Sequence, residues 1–278
     1  MLLTLNAACL KPLIAKGDLD LLDLPKYTRE TLSLHGINLS TEQIAGLARN
    51  RIEALRERAD KSGCACLLLI EPEPLPFGSS DDAEGDAAAD RAVLVARVAG
   101  LLGCNAAAVR CAGGTDEVGT DLTIERLKHV MENVERLELN LLISPWGGKD
   151  DLTGDPERVT GLIKRVGGFR IGTLPDFADA ARAKDPVAYL RRITPYASTV
   201  VATTLQFVAK GKTTSPGSDP DAPVDHCPWD LQPMIDAISS VGYASPLAIE
   251  YRGEGDPTLG VLRSRALLEA ALGKSAGA

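Results

Sequence analysis

Apolar residues along this chain fall into two alternating rhythms. Short continuous runs, such as Cys66-Leu67-Leu68-Leu69-Ile70 and Leu141-Leu142-Ile143, are the mark of strands covered on both faces. Longer stretches instead carry apolar residues at helical spacing, as at Ile44, Leu47, Ile52 and Leu55. Read in order, the pattern predicts strands over 2–6, 35–39, 66–70, 106–110, 139–143, 169–172, 199–205 and 247–250. It predicts helices over 18–34 (interrupted at Pro25), from Ser40 or Thr41 to Gly63, and over 87–102, 122–137, 156–166, 187–193, 229–241 and 257–272. Asp155 before Pro156 and Asp256 before Pro257 are helix-start signals, and Gly63 and Gly103 are stop signals. A polar loop spans 77–86 and a long one 206–228, whose part 211–228, rich in Pro, Asp, Ser and Thr, is long enough for a lid or an interface arm.

Eight strand–helix units in alternation predict an α/β fold with a parallel sheet closed into a (β/α)8 TIM barrel, one domain over residues 1–278. An open doubly wound sheet would want a glycine-rich turn after the first strand, where this chain has Ala7-Ala8-Cys9. Barrel sites form at the C-terminal ends of the strands. Glu71, Arg110, Ser144, Asp176 and Glu250 all fall there by spacing. In Leu247-Ala248-Ile249-Glu250 a core strand ends in a carboxylate that is costly to desolvate unless it is used or paired. Two readings stand: the floor of an active site, or a glutamate neutralised by Arg252 or Arg110.

Composition narrows the partners. The net charge is −8 with no offsetting basic stripe, which argues against nucleic acid and anionic membrane. No apolar run approaches 18 residues, and the first six residues lack a charged leader pattern and read as a strand. Cys9, Cys64, Cys66, Cys104, Cys111 and Cys227 form no C-x-x-C pair, as in a reduced, cytoplasmic protein. Cys64 and Cys66 alternate at strand spacing and are expected to be buried and structural. The expected partner is a small-molecule substrate, with self-association or a partner subunit left open.

The second half carries a resemblance. The residues are Leu142-Ile143-Ser144-Pro145-Trp146-Gly147-Gly148, Ile171-Gly172-Thr173-Leu174-Pro175-Asp176, Thr194-Pro195-Tyr196-Ala197, Val241-Gly242-Tyr243, and 247–260 with Arg263 and Arg265. Over residues 139–272 the chain resembles the sugar phosphate isomerase/epimerase family, the xylose isomerase-like TIM barrels that include endonuclease IV relatives. The resemblance extends weakly across the first half. It implies a divalent metal held by Glu after the fifth strand, Asp after the sixth, His on the seventh and Glu after the eighth. In that chemistry the metal polarises a hydroxy-carbonyl substrate while the two glutamates move a proton between neighbouring carbons.

Carried over residue by residue, Asp176 and Glu250 match. Ser144 stands where the fifth-strand glutamate is expected, and no histidine occurs between His129 and His226, so Val201 aligns with the seventh-strand ligand. Gln206 or His226 would be unconventional substitutes. Two carboxylates plus waters make a weak site for Mg²⁺ or Mn²⁺, and the missing glutamate removes half of the proton-moving pair. The expectation is therefore no tightly held metal and no other cofactor.

Without a metal, two facing carboxylates raise each other's proton affinity, which suits acid–base work. Glu250 is the candidate base, Asp176 the acid or orienter, and Glu71 a third candidate carboxylate. Arg110 and Arg252 are placed to anchor oxyanions, Trp146 to stack on a sugar ring or to pack the rim, and Ser144 and Gln206 to touch substrate. Lys149, Lys210 and Lys212 are anion contacts or solvated loop lysines. Gly253-x-Gly255 is a poor phosphate site because Asp256 would repel an anion. Ser144 has no histidine at triad spacing. The sequence thus points to an isomerase/epimerase-type enzyme or related lyase, working by proton abstraction on a small polyhydroxylated or keto substrate. A metal-dependent enzyme with unconventional ligands and a non-catalytic barrel that binds a ligand or partner subunit are the competing readings.

Overall fold

β1 (Leu3–Asn6), β2 (Gly36–Ser40), β3 (Ala65–Leu75), β4 (Ala106–Cys111), β5 (Asn140–Ile143), β6 (Ile171–Thr173) and β7 (Val200–Thr204) are seven of the barrel staves in the computed structural model. A hairpin of β8 (Gln206–Ala209) and β9 (Val224–Cys227) follows, and β10 (Leu247–Tyr251) is the eighth stave. The structure describes residues 1–148, 151 and 154–275. The staves run parallel in the order β6-β5-β4-β3-β2-β1-β10-β7. The two ends of that order meet through the single bridges Thr173↔Ala197 and Asp176↔Val201, the Val201 N–H donating to the Pro175 carbonyl at 2.8 Å. Barrel closure therefore passes through Asp176.

The main helices are α1 (Lys11–Lys16), α2 (Leu24–Glu30), α3 (Arg49–Ser62), α4 (Asp82–Leu102), α5 (Glu117–Arg136), α6 (Pro156–Val166), α7 (Phe177–Arg182), α8 (Pro186–Ile193), α9 (Leu231–Ser240) and α10 (Pro257–Ser275). Asp81, Asp116, Asp155, Asp176, Asp185 and Asp230 cap six of them, each carboxylate accepting backbone N–H bonds of its own first turn.

Strand alternation sorts the core into two layers. Leu69, Val109, Ile143 and Ile249 face the helices. Leu68, Ile70, Ala106, Ala108, Leu142, Leu174 and Val201 fill the barrel interior. Small alanines on β4 leave little bulk there, and polar Thr4, Asn6, Asn38, Ser40 and Thr203 are almost wholly buried on other staves.

Some elements differ from the sequence reading. The helix expected from Ser40 or Thr41 is a 3₁₀ turn, Thr41–Ile44, closed by a capping box between Ser40 and Gln43. Gly46, at φ 73°, then redirects the chain, and α3 starts only at Arg49. α4 and α5 begin about a turn earlier than expected because Asp81 and Asp116 cap them. The loop expected over 206–228 contains the antiparallel β8–β9 pair. No helix among the described residues is long and apolar enough to cross a membrane.

Candidate active site

At the C-terminal mouth of the barrel lies a cavity of about 70 Å³, lined among others by Asn6, Arg110, Ser144, Asp176, Glu250 and Arg252. Each stave residue here continues the inward parity of its strand: Arg110 after Ala106 and Ala108, Ser144 after Leu142, and Glu250 after Ala248. Inward parity at a strand end is what delivers a polar side chain to the mouth instead of to the helix layer.

Arg252 is the centre of the arrangement. Its Nε donates to Glu250 Oε1 at 2.7 Å, and its Nη2 donates to Asp176 Oδ2 at 2.7 Å and to Glu250 Oε2 at 3.0 Å. Asn6 Nδ2 donates to Glu250 Oε2 at 2.6 Å, and Asp176 Oδ1 accepts from the Ala178 N–H at 2.8 Å. Both carboxylates are buried, while the Arg252 side chain keeps 36% exposure. Burial works against the Arg252 charge, but Asp176 and Glu250 more than offset it, so its pKa is raised and it stays a cation. Gly253 lets the chain leave β10 here, because a side chain at that position would collide with the Leu205 carbonyl.

Asp179 stands one turn into α7 behind Asp176. Burial and the Asp176 carboxylate push it up to about 7, against the opposing pull of Arg182, Arg252 and Arg110. Arg182 forms an ion pair with it.

The remaining sequence candidates divide. Ser144 lines the cavity, its hydroxyl donating to the Pro145 carbonyl at 3.2 Å. Arg110 lines it too, with Nη1 donating to the Pro72 carbonyl at 2.7 Å. Glu71, grouped with the catalytic carboxylates by the sequence reading, is turned away from the mouth. It lies on the outward parity of β3, 2% exposed, and receives Arg91 Nε at 2.7 Å and Thr41 Oγ1 at 3.1 Å. Trp146 is drawn back to β4, its indole N–H donating to the Cys111 carbonyl at 3.1 Å, and it does not line the cavity. Gln206 is exposed at the start of the hairpin. His226 is no ligand from the loop: its Nε2 accepts the Leu205 N–H at 2.9 Å and its Nδ1 donates to the Trp229 carbonyl at 2.8 Å. Burial holds its pKa down, so it is a neutral packing histidine between Phe207 and Trp229. Lys149 lies outside the described residues, and Lys210 and Lys212 are exposed on the hairpin.

Sequence reasoning did not single out Asn6, Ser40, Lys11 or Asp179. The signal for the first two is legible: in Leu3-Thr4-Leu5-Asn6 and Ile37-Asn38-Leu39-Ser40 polar residues alternate with apolar ones, so a whole polar parity faces inward. The cysteines behave as expected. Cys64 and Cys66 are buried, and burial raises their thiols to about 11 and about 12.

The model of the xylose isomerase-like TIM barrel family matches residues 31–271, and the chain belongs to that family. No curated protein matches the sequence. Among solved structures, the chain is similar to an L-ribulose 3-epimerase, at 14% identity with a TM-score of 0.75, covering 92% of this chain and 90% of the other. It is similar to the IolI protein with a bound zinc atom, at 13% identity with a TM-score of 0.74, covering 99% of each chain. It is also similar to a xylose isomerase-like barrel protein from Mycobacterium smegmatis in complex with magnesium, at 17% identity with a TM-score of 0.65, covering 92% and 90%.

The residues present do not fit a metal of the kind the fold implies. Of the four expected ligand positions, Ser144 and Val201 fill two, and both line the cavity. The other two, Asp176 and Glu250, already have a donor on every carboxylate oxygen. Among the described residues no group of three His, Cys, Asp or Glu side chains is disposed to hold an ion.

Proposed function

We propose that this barrel is an isomerase/epimerase-type enzyme, or a related lyase, that abstracts a proton next to a carbonyl of a small polyhydroxylated or keto substrate, with the Arg252 guanidinium in the place of a divalent metal. The observation that carries this reading is the convergence of Asp176 and Glu250, 74 residues apart in sequence, on one cation at the barrel mouth. A metal would do two things there: hold two carboxylates side by side and stabilise oxyanion character on the substrate. A permanently charged, partly exposed arginine can do both.

In this mechanism Glu250 takes the proton from carbon. A carboxylate has about four lone-pair sites, and three donors reach Glu250. One site is left for the reacting C–H. As negative charge moves to the carbonyl oxygen, Arg252 and Asn6 shift hydrogen bonds toward it. Asp176 keeps Arg252 in register, and the proton returns to the neighbouring carbon while that carbon's oxygen takes the proton of the adjacent hydroxyl, so that carbonyl and hydroxyl exchange places. Arg110 and Ser144 hold the rest of the substrate. Residues 1–278 act as a single domain, and its place is the cytoplasm, in keeping with six free cysteines, five of them buried.

The test is proton exchange in deuterated buffer, followed by NMR on a panel of ketoses, aldoses and hydroxy-keto acids, with chelator present. Exchange that survives chelator and vanishes in Glu250→Gln is expected. Exchange that needs added Mn²⁺, or none on any compound, would end this reading. One observation favours the second reading, a ligand- or partner-binding barrel without turnover: every oxygen of Asp176 and Glu250 is already hydrogen-bonded. Under that reading no compound exchanges and Glu250→Gln changes binding alone.

A further inference from the structure

Arg110 differs from the other cations at the mouth. Lys11 is paired with Glu42, and Arg252 is shared by Asp176 and Glu250. Arg110 has no carboxylate within ion-pair reach among the described residues, and its one hydrogen bond there is from Nη1 to the Pro72 carbonyl. Its Nε is buried without a partner. A guanidinium carries five donors and keeps its charge at any working pH. Arg110 is half-buried, and leaving its enclosed Nε unmet is costly unless a ligand completes it. The Pro72 contact holds Nη1, and Arg110 lines the cavity together with Ser144 and Ser40.

We propose that Arg110 receives a carboxylate of the substrate, so that the compounds acted on at this mouth are small hydroxy- or keto-acid monoanions and not neutral sugars. This rests on the reading of the mouth as an active site. Two further observations point the same way. The cavity, about 70 Å³, is far below the roughly 300 Å³ at which pockets for drug-sized ligands begin, so it suits three or four carbons better than a hexose. A phosphate dianion would set two negative charges beside Asp176 and Glu250, whereas a carboxylate sets one, and its planar pair of oxygens matches the guanidinium fork.

The experiment is calorimetric titration of the full chain with glycolate, with its neutral isostere glycolamide, and with inorganic phosphate. Glycolate binding to the wild type is expected, with at least a tenfold loss in Arg110→Met, a smaller loss in Arg110→Lys, and no glycolamide binding to any of the three. The proposal is overturned if glycolamide binds as well as glycolate, if glycolate does not bind, if Arg110→Met leaves its affinity unchanged, or if phosphate binds more tightly through Arg110. Should Arg110→Met fail to fold, the glycolate–glycolamide pair on the wild type still decides. Glycolate binding with no proton exchange on any compound would sink the enzyme reading alone. Exchange on neutral ketoses with no anion requirement would sink only this one.

Discussion

Glu71 and Glu250 invite comparison because they begin alike. Each follows an apolar core strand at the C-terminal face of the barrel, and each is almost fully buried, at 2% and 8% exposure. Their surroundings differ in kind. Glu71 meets Arg91 of α4 in the layer between staves and helices, where the pair ties a helix to the sheet. Glu250 meets Arg252, Asn6 and, across the guanidinium, Asp176, beside a cavity. The difference is one of parity: Glu71 follows outward Leu69 by two residues, whereas Glu250 follows inward Ala248 by two. A charged side chain at a strand end becomes a site or a strut according to which face its residue number selects.

The largest effect that could break this comparison is on turnover. Glu250→Gln is expected to lower the rate of solvent exchange by about 10²–10⁴, the range for loss of a general base, while Glu71→Gln stays within about threefold of wild type. Equal losses in the two variants would erase the distinction. Arg252→Met should lower exchange by about 10²–10³, as for removal of an oxyanion-stabilising donor, with no rescue by Mn²⁺. Rescue by the metal would show that the guanidinium displaces a workable cation site.

Stability reads the other side of the comparison. Arg91→Ala leaves the Glu71 carboxylate buried without its cation and should cost about 1–3 kcal/mol in urea unfolding with exchange activity retained. The range is set below that of a fully buried pair because Arg91 is 44% exposed on its side chain.

A smaller effect concerns Asp179, whose folded value of about 7 lies above the ordinary 3.8. The native state then holds a proton that the unfolded chain has released, so stability falls as pH rises from about 4 to about 7 and is level above that. Asp179→Asn should flatten this decline by about 1–2 kcal/mol, measured as unfolding free energy at pH 5 and pH 8. An unchanged pH profile in the variant would show that Asp179 does not titrate in that window. The smallest is His226. Burial depresses its pKa below 6.5, so its share of stability is present at neutral pH and is lost as pH falls below that value. His226→Gln should reduce the loss in acid by under about 1 kcal/mol.

The sequence by itself determined the barrel. Eight apolar runs of strand length, separated by capped helical periods, leave few other ways to bury that much surface, and the C-terminal placement of Arg110, Ser144, Asp176 and Glu250 followed from strand ends alone. It also carried the departure at Ser144 and Val201. What it left open was which strand-end groups meet. Asp176 and Glu250 share Arg252 only because barrel closure brings the end of β6 beside β7 and β7 beside β10. Glu71 and Trp146 were lost to the helix layer and to the β4 rim by parity and by one indole hydrogen bond. His226 was claimed by the hairpin, whose two strands no periodicity over 206–228 announced. Hydrophobic spacing is a local property that one chain segment can display. The partner of a buried charge is fixed by residues far away in sequence, and only packing in three dimensions selects it.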